Sequence, residues 1–148
     1  MAEALELAGR LTGSGHELRQ RVYFEDTDFS GLVYHARYLH FFERGRSDFL
    51  RLLGNDHQAL LAGADGAPAA FVVRRMKLDF RKPARIDDVL EVTIRLHSLS
   101  AAILTLDQVI TREGIILFEA QVEVVLISLD GKPQRLSQRL RDLFAPAE

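Results

Sequence analysis

A long segment with helical spacing, followed by segments that alternate like strands, is the feature that most constrains how this chain folds. Residues 35–54 place one row of side chains on a single helical face: Tyr38, Phe41, Phe42, Gly45, Phe49, Leu52 and Leu53. After residue 70, apolar and polar residues alternate with the period of two expected for half-buried strands. This order predicts an α+β domain in which an antiparallel sheet wraps around a long helix. Several α+β folds share the order, and periodicity does not choose among them.

The predicted elements cover most of the chain. Strands are predicted at residues 17–24, 72–80, 90–96, 104–110 and 116–126, with a turn at residues 112–114. Asn55 is expected to cap a short helix that ends at Leu61, and a last short helix is expected over residues 137–144. Residues 1–16, rich in alanine and glycine, are interpreted as a flexible lead-in, and residues 17–148 as a single domain.

The composition excludes several classes of function. The 148-residue chain has no cysteine, which removes disulfides, zinc–thiolate sites and a thiol nucleophile. The formal net charge is −2 and the basic residues are mixed with acidic ones, so no nucleic-acid-binding face is expected. No apolar run approaches the roughly 18 residues that span a bilayer. Acidic residues within the first ten positions do not resemble a signal peptide, and we expect a cytoplasmic protein.

The polar residues after the first predicted strand do not form a metal-binding or serine hydrolase motif. Asp26 and Asp28 fit the opening of an EF-hand loop, but its twelfth position, which requires an acid, is Arg37. His35 and His40 are five residues apart and face different sides of a helix, unlike a zinc-binding pair. The chain has neither a G-x-S-x-G nucleophile elbow nor a glycine-rich phosphate loop. We therefore expect no metal, and Asp26 is interpreted as a structural residue that closes the turn or holds the helix end.

Asp28 stands just before the long helix, where a carboxylate has a direct chemical use. The start of a helix offers unpaired N–H groups and partial positive charge, which polarise a carbonyl. An aspartate with an ordinary pKa of about 3.9 is ionised at neutral pH and can attack that carbonyl or deprotonate a water beside it. A thiol, with a pKa of about 8.5, leaves without a strong general acid. Thioester hydrolysis suits this small set of groups.

The segment from Tyr23 to Arg44 carries a long and specific motif, D-x-D-x-x-G-x-V-Y-H-x-x-Y-x-x-F-F-E-R. It resembles the signature of the 4-hydroxybenzoyl-CoA thioesterase family and is most similar to the Tol-Pal system-associated acyl-CoA thioesterase branch. The stretch from Pro83 to Leu90 resembles the segment that leads into that family's next strand. The resemblance spans most of residues 17–128. It implies a hotdog fold, with subunits that pair and build sites at their interface.

The resemblance also implies roles for individual residues. Asp28 matches the catalytic carboxylate of the family. His35 and Ala36 match positions that border the thioester, where a backbone N–H polarises the carbonyl, and the His35 side chain is assigned a part in positioning the water or the carbonyl. Tyr34 and Tyr38 match pocket and packing positions, so they are assigned, with Ala36, to substrate binding.

Charged residues outside this motif allow two interpretations. Six basic residues lie along the second predicted strand and just after its end: Arg74, Arg75, Lys77, Arg81, Lys82 and Arg85. Arg81 and Lys82, next to a proline at a turn, are the candidates for binding the phosphates of coenzyme A, while the others fit a charged outer strand face. Glu43 with Arg44 and Arg46 is interpreted as a solvated helix face or as interface ion pairing.

The leading functional interpretation is an enzyme that hydrolyses acyl-CoA, with Asp28 as general base or as a nucleophile that forms a transient anhydride. The alternative is a noncatalytic module that binds acyl-CoA or an acyl carrier protein in an envelope-associated complex. A hotdog dehydratase is a third possibility, but its usual histidine-containing hydration motif is absent.

Expected partners are the acyl-CoA substrate, further copies in a homodimer or tetramer, and an acyl carrier protein. No cofactor is expected, because coenzyme A is part of the substrate. The sequence does not predict the identity of the acyl group.

Overall fold

The computed structural model describes residues 8–145 of the chain. The strands in this range are β1 (Arg10–Thr12), β2 (Gly15–Arg21), β3 (Ala69–Phe80), β4 (Val89–Leu99), β5 (Ile103–Arg112), β6 (Ile115–Ser128) and β7 (Pro133–Gln134). The helices are α1 (Arg37–Leu52), α2 (His57–Leu61) and α3 (Gln138–Phe144), with a 3-10 turn at Phe24–Asp26. Among the helices described, none has both the length and the apolar composition to cross a bilayer.

The strands form one antiparallel sheet that surrounds α1. The order across the sheet is β1-β2-β4-β5-β6-β3, and β7 pairs with the end of β6. Glu113 and Gly114, between β5 and β6, have φ values of +51° and +80°, which suit the tight loop of a hairpin. The predicted turn at residues 112–114 is therefore confirmed. The predicted fold class, an antiparallel sheet wrapped around a long helix, is confirmed as well.

The aromatic face of α1 forms the centre of the core. Phe42 is fully buried, and its ring stacks on that of Phe118 with the centroids 5.0 Å apart. At Gly45, an added Cβ would lie 3.3 Å from Cγ1 of Val92 and 3.5 Å from Cδ1 of Ile94. Inside a helix glycine costs about 1 kcal/mol relative to alanine. The close approach of β4 to this turn of α1 explains why a glycine is present there.

The predicted flexible lead-in over residues 1–16 is wrong for the part that the structure describes. Its first seven residues lie outside the described range, but Arg10–Thr12 forms β1 and pairs with the start of β2. Buried His16 accounts for this order, since its Nε2 lies 2.6 Å from Oδ2 of Asp48 on α1. The same oxygen accepts the N–H of Gly9 at 2.8 Å. A contact between residues distant in sequence therefore fixes a segment whose composition suggests a loop.

The short helices begin close to their predicted positions. The N-cap of α2 is Asp56 rather than Asn55, because the Asp56 carboxylate accepts the N–H of Ala59 at 2.9 Å. Asn55 is instead buried, and its side-chain oxygen accepts a hydrogen bond from Arg139 at 2.8 Å. Ser137 caps α3, which confirms the predicted last helix. The hydrogen bond from Arg139 to Asn55 attaches α3 to the segment that follows α1.

β3 is an edge strand, paired with β6 on one side only. A bulge at Arg74 interrupts its register. Several apolar side chains along the strand are exposed, among them Val73 at 41%, Leu78 at 40% and Phe80 at 50%. A long edge with exposed apolar side chains is a surface that another strand can cover. Phe80, at the end of this edge, also reaches the site described next.

Candidate active site

The segment between the 3-10 turn and α1 forms a compact loop that presents Asp28. Thr27 and Val33 form an isolated β-bridge across the base of the loop. The N–H of Asp28 donates to the carbonyl oxygen of Leu32 at 3.0 Å, and the N–H of Gly31 donates to that of Asp28 at 3.1 Å. Gly31 has a φ of +79°, a conformation that residues with a Cβ rarely adopt. The glycine therefore closes the turn that holds the aspartate.

The carboxylate of Asp28 is exposed in the single chain and is oriented by Ser30. The hydroxyl of Ser30 donates to Oδ1 at 2.5 Å, and its backbone N–H donates to the same oxygen at 2.8 Å. These hydrogen bonds hold the pKa of Asp28 below its ordinary value, and the nearby His35 lowers it slightly further. Within the described range, no donor contacts Oδ2. At neutral pH the carboxylate is ionised, with one oxygen fixed and the other open to a water or an acyl carbon.

Buried Asp26 fixes the position of this loop relative to α1. It is only 1% exposed, its Oδ1 lies 2.9 Å from Nε of Arg37, and its Oδ2 accepts the N–H of Tyr23 at 2.8 Å. Arg37 also donates to the carbonyl oxygen of Glu25 at 3.1 Å. These contacts attach the first turn of α1 to the 3-10 turn and fix the loop relative to the helix. The interpretation of Asp26 as a residue that holds the helix end is confirmed.

The backbone that leads into α1 has two N–H groups without a backbone acceptor. The first helical residue is Arg37, whose N–H donates to the carbonyl oxygen of Tyr34 at 2.8 Å. Among the described residues, no backbone oxygen accepts a hydrogen bond from the N–H of His35 or Ala36. Both groups lie at the positive end of a 16-residue helix. Such N–H groups stabilise negative charge that develops on a carbonyl oxygen.

One shallow pocket of about 310 Å³ brings most of the predicted site residues together. Its lining includes Asp28, His35, Tyr38, Phe80, Arg81 and Lys82. Two of the predicted substrate-binding residues adjoin the pocket without lining it: the ring of Tyr34 packs on His35 with the centroids 4.5 Å apart, and Ala36 is the N-cap of α1. The pocket is formed by the aspartate loop, the start of α1 and the end of β3.

Tyr38 forms part of the pocket wall but is itself buried. Its hydroxyl accepts the N–H of Ala84 at 3.0 Å, and its ring stacks on Phe118 with the centroids 4.9 Å apart. Burial raises the pKa of the phenol, so it stays neutral. The tyrosine therefore holds the segment after β3 against the start of α1, and it sets the width of the pocket there.

The two cations predicted to bind phosphates differ in their surroundings. The guanidinium of Arg81 lies 2.5 Å from Oε1 of Glu119 and 3.3 Å from Oδ2 of Asp79. Glu119 and Asp79 raise the pKa of Arg81 and offset its charge. Lys82 is exposed and forms no ion pair with any residue in the described range. Its ammonium group is therefore the charge that remains available at the mouth of the pocket.

A second pocket of about 180 Å³ lies between α1 and the opposite end of β3. Its walls are mainly apolar and include Phe49, Leu50, Phe71, Leu106, Val124 and Phe144. Four polar residues also line it: Glu43, Arg46, Ser47 and His57. This pocket could not be predicted from the sequence, because its walls come from α1, α2, β3, β5, β6 and α3. The only local signal was the helical spacing that places Glu43 and Ser47 on one side of α1.

The serine of the second pocket does not form a nucleophilic site. The hydroxyl oxygen of Ser47 lies 2.7 Å from Oε1 of Glu43 and 2.9 Å from Nε2 of His57. Since a hydroxyl has one proton, a Ser47 that donates to Glu43 must accept from His57, and the imidazole is then no base for it. Within residues 8–145, no three His, Asp or Glu side chains gather as a metal ion requires.

The fold and the first pocket define a hotdog-fold thioester hydrolase, with an ionised aspartate beside the N-terminus of the enclosed helix. Comparison with known proteins agrees, since residues 30–119 match the Thioesterase superfamily. The chain is 40% identical over 132 residues to the acyl-CoA thioesterase YbgC of Haemophilus influenzae, covering 88% of this chain and 95% of that protein. It is 41% identical over 122 residues to the acyl-CoA thioester hydrolase YbgC of Escherichia coli, covering 81% and 88%.

A solved structure supports the same assignment. The crystal structure of a probable thioesterase from Bartonella henselae matches with a TM-score of 0.81 and 47% sequence identity, covering 84% of this chain and 100% of that one. The chain belongs to the thioesterase superfamily, as the motif between Tyr23 and Arg44 predicted. It is a thioester hydrolase, which favours the enzyme over the noncatalytic module.

Proposed function

We propose that the protein hydrolyses acyl-CoA to a free acid and coenzyme A, with Asp28 as the catalytic carboxylate. The observation that carries this proposal is that Asp28 and His35 line the same pocket at the start of α1. The open oxygen of Asp28 supplies the base or nucleophile, and the unpaired N–H groups of His35 and Ala36 supply the positive end of a dipole. The names of the two YbgC relatives support acyl-CoA as the substrate class.

Two routes of hydrolysis are open to Oδ2 of Asp28 and the thioester carbon. In the first, Oδ2 of Asp28 takes a proton from a water, whose oxygen adds to the thioester carbon. The carbon–sulfur bond then breaks, and the coenzyme A thiolate leaves and is protonated. In the second, Oδ2 itself adds to the carbon and expels the thiolate, and a water then hydrolyses the resulting anhydride. Each route consumes one water and needs no cofactor, and each needs the carboxylate ionised.

The other predicted site residues have supporting roles in this proposal. The N–H of His35 or Ala36 binds the carbonyl oxygen while negative charge develops on it. The imidazole of His35 borders the reacting groups and positions the water or the carbonyl. Tyr34 holds that imidazole by ring packing, and Tyr38 fixes the opposite wall. Lys82 binds a phosphate of coenzyme A at the pocket mouth, with Arg81 as the weaker candidate.

The proposed active unit is a homodimer in which two β3 strands pair along their free edges. The exposed apolar side chains of β3 support this arrangement, as does Phe80, which belongs both to that edge and to the pocket. Pairing would cover the edge and close one side of each pocket. Sedimentation should find a dimer or a tetramer of such dimers for the unmodified protein, and a smaller, inactive species for Leu78→Asp. A fully active monomer would refute this part of the proposal.

We place the reaction in the cytoplasm, where coenzyme A thioesters are made and used. An acyl carrier protein presents its acyl group on the same kind of pantetheine thiol, so it is an alternative thioester donor for this pocket. The proposed link to the Tol-Pal system rests on the resemblance of the motif between Tyr23 and Arg44 to that branch of the family.

A panel of acyl-CoA substrates with thiol detection tests the proposal. The panel covers short, long and aromatic acyl groups, and calorimetry measures the binding of each one. We expect at least one class to release thiol with a turnover far above the rate without protein. Binding of these thioesters without thiol release across the panel would instead support the noncatalytic module.

A further inference from the structure

The second pocket contains a cation, Arg46, that pairs with no carboxylate in the part of the chain that the structure describes. Arg46 projects from α1 into this pocket, and its side chain is partly buried. Within the described residues, no carboxylate lies within ion-pair distance of its guanidinium. Burial lowers the pKa of Arg46, and the charge of Glu43 opposes that effect from beyond ion-pair range. The Glu43 carboxylate instead accepts the hydroxyl of Ser47, so it does not occupy the guanidinium.

The orientation of Arg46 is fixed from the core side. Its Nη1 donates to the side-chain oxygen of Gln108 at 2.8 Å. Gln108 is fully buried, and its amide nitrogen donates to the carbonyl oxygen of Phe42 at 3.2 Å, so its oxygen is held toward the arginine. This contact uses one of the five N–H groups of a guanidinium. The remaining N–H groups are a preformed site for an anion at one end of an apolar pocket.

The two pockets of one chain adjoin opposite ends of the exposed part of β3. Val72 lines the second pocket and Phe80 the first, and eight residues of strand span about 26 Å. The exposed stretch from Val72 to Phe80 has its midpoint at Met76. A second copy that pairs antiparallel about that midpoint places Val72 of one copy opposite Phe80 of the other. The second pocket of one subunit then adjoins the Asp28 pocket of its partner.

We propose that Arg46 binds a carboxylate at the far end of a short acyl group, so that the preferred substrates are coenzyme A monothioesters of small dicarboxylic acids. The inference rests on the proposed function and on the pairing of β3 strands. A guanidinium fits a carboxylate with two parallel hydrogen bonds. A pocket of about 180 Å³ favours a short acyl group. A glutaryl group places its carboxylate three methylene groups beyond the thioester carbonyl.

Two thioesters of the same shape test the proposal. Glutaryl-CoA ends in a carboxylate, whereas 5-methylhexanoyl-CoA has two methyl groups in place of the carboxylate oxygens. For the unmodified protein, we expect kcat/KM to favour glutaryl-CoA by about tenfold or more, as hydrogen bonds to a charged group allow. Equal values, or a preference for 5-methylhexanoyl-CoA, would overturn the inference. Hydrolysis of butyryl-CoA serves as the reference, and the absence of thiol release from all three thioesters would instead count against the proposed function.

A matched pair of arginine variants locates the effect. Arg46→Met should lower kcat/KM for glutaryl-CoA by about tenfold or more while leaving that for 5-methylhexanoyl-CoA nearly unchanged. Arg44→Met removes an exposed arginine that bonds Gln20, so it should change neither value. If Arg46→Met lowers both values equally and shifts the dimer dissociation constant, the arginine binds the partner subunit and the inference is wrong.

A measurement without any variant covers the case in which Arg46→Met does not fold. Glutaramate, the monoamide of glutaric acid, and 5-methylhexanamide are compared as inhibitors of butyryl-CoA hydrolysis by the unmodified protein, because only glutaramate has a carboxylate. We expect glutaramate to inhibit at a concentration about tenfold lower. Equal inhibition, or stronger inhibition by 5-methylhexanamide, would contradict a carboxylate site at Arg46.

Discussion

The hydroxyl and the backbone N–H of Ser30 donate to the same oxygen of Asp28, at 2.5 Å and 2.8 Å. Both contacts arise within a turn of four residues that Gly31 closes with a positive φ. They fix one carboxylate oxygen and leave the other open toward the pocket. The arrangement also favours the ionised form, so the carboxylate of Asp28 is already charged at neutral pH.

Ser30→Ala should move the acid limb of the pH–rate profile to higher pH. The serine hydroxyl is the largest cause of the lowered pKa of Asp28, and its removal lets that pKa rise toward its ordinary value. Since both proposed routes need the ionised carboxylate, activity should fall at a higher pH in the variant as the solution is acidified. The profile of kcat/KM for one acyl-CoA, measured with thiol detection, checks this.

Ser98→Ala is the matched control, because Ser98 is an exposed serine on β4. It should leave the acid limb where the unmodified protein has it. Circular dichroism at each pH ensures that the fold is intact over the measured range. An acid limb that stays in place, or moves to lower pH, in Ser30→Ala would contradict the assigned role of the hydroxyl.

Asp26→Asn should destabilise the protein, although Asp26 lies only two residues from the proposed catalytic carboxylate. The change removes a buried charge that pairs with Arg37 and accepts the N–H of Tyr23. Loss of such charged hydrogen bonds costs about 2 kcal/mol of unfolding free energy. Urea unfolding measures the effect, with Asp28→Asn as the exposed neighbour that should unfold like the unmodified protein. Equal unfolding midpoints for Asp26→Asn and the unmodified protein would argue against the role given to Asp26.

Lys82→Met should weaken the binding of acyl-CoA more than Arg81→Met does. The ammonium group of Lys82 is available to a phosphate, whereas Arg81 already contacts Glu119 and Asp79. We expect KM for acyl-CoA to rise about tenfold in Lys82→Met, a typical effect of losing one charge-assisted hydrogen bond. With an acyl-pantetheine substrate, which has no phosphates, the two variants should behave alike. A larger effect of Arg81→Met on acyl-CoA would reverse this assignment.

The first pocket could be predicted from sequence because its chemistry is local. Asp28, Gly31 and His35 lie within eight residues, and the motif that contains them also contains the start of α1. The helix itself follows from the spacing of its aromatic residues, and the strands follow from alternation. What the motif does not contain is the contact of Ser30 with Asp28, since the same residue types form ordinary polar turns.

The parts that sequence reasoning missed depend on contacts between distant residues. β1 is ordered because His16 meets Asp48, 32 residues away, although its composition resembles a loop. Arg46 lies beside the apolar walls of the second pocket only when α1, β3 and β5 are packed together. Charge spacing along one helix cannot show whether an arginine faces water or a cavity. In each case tertiary packing determines the surroundings of a residue, and local patterns do not contain that information.

The most direct test of the account is the hydrolysis of acyl-CoA by Asp28→Asn, a change that keeps the size of the side chain and removes its charge. We predict that kcat/KM falls by roughly a thousandfold, within the range known for loss of a catalytic base. The variant should keep the sedimentation behaviour and the urea midpoint of the unmodified protein, because Asp28 is exposed and makes no ion pair in the described range. Thiol release near the rate of the unmodified protein would contradict the claim that this carboxylate drives the reaction.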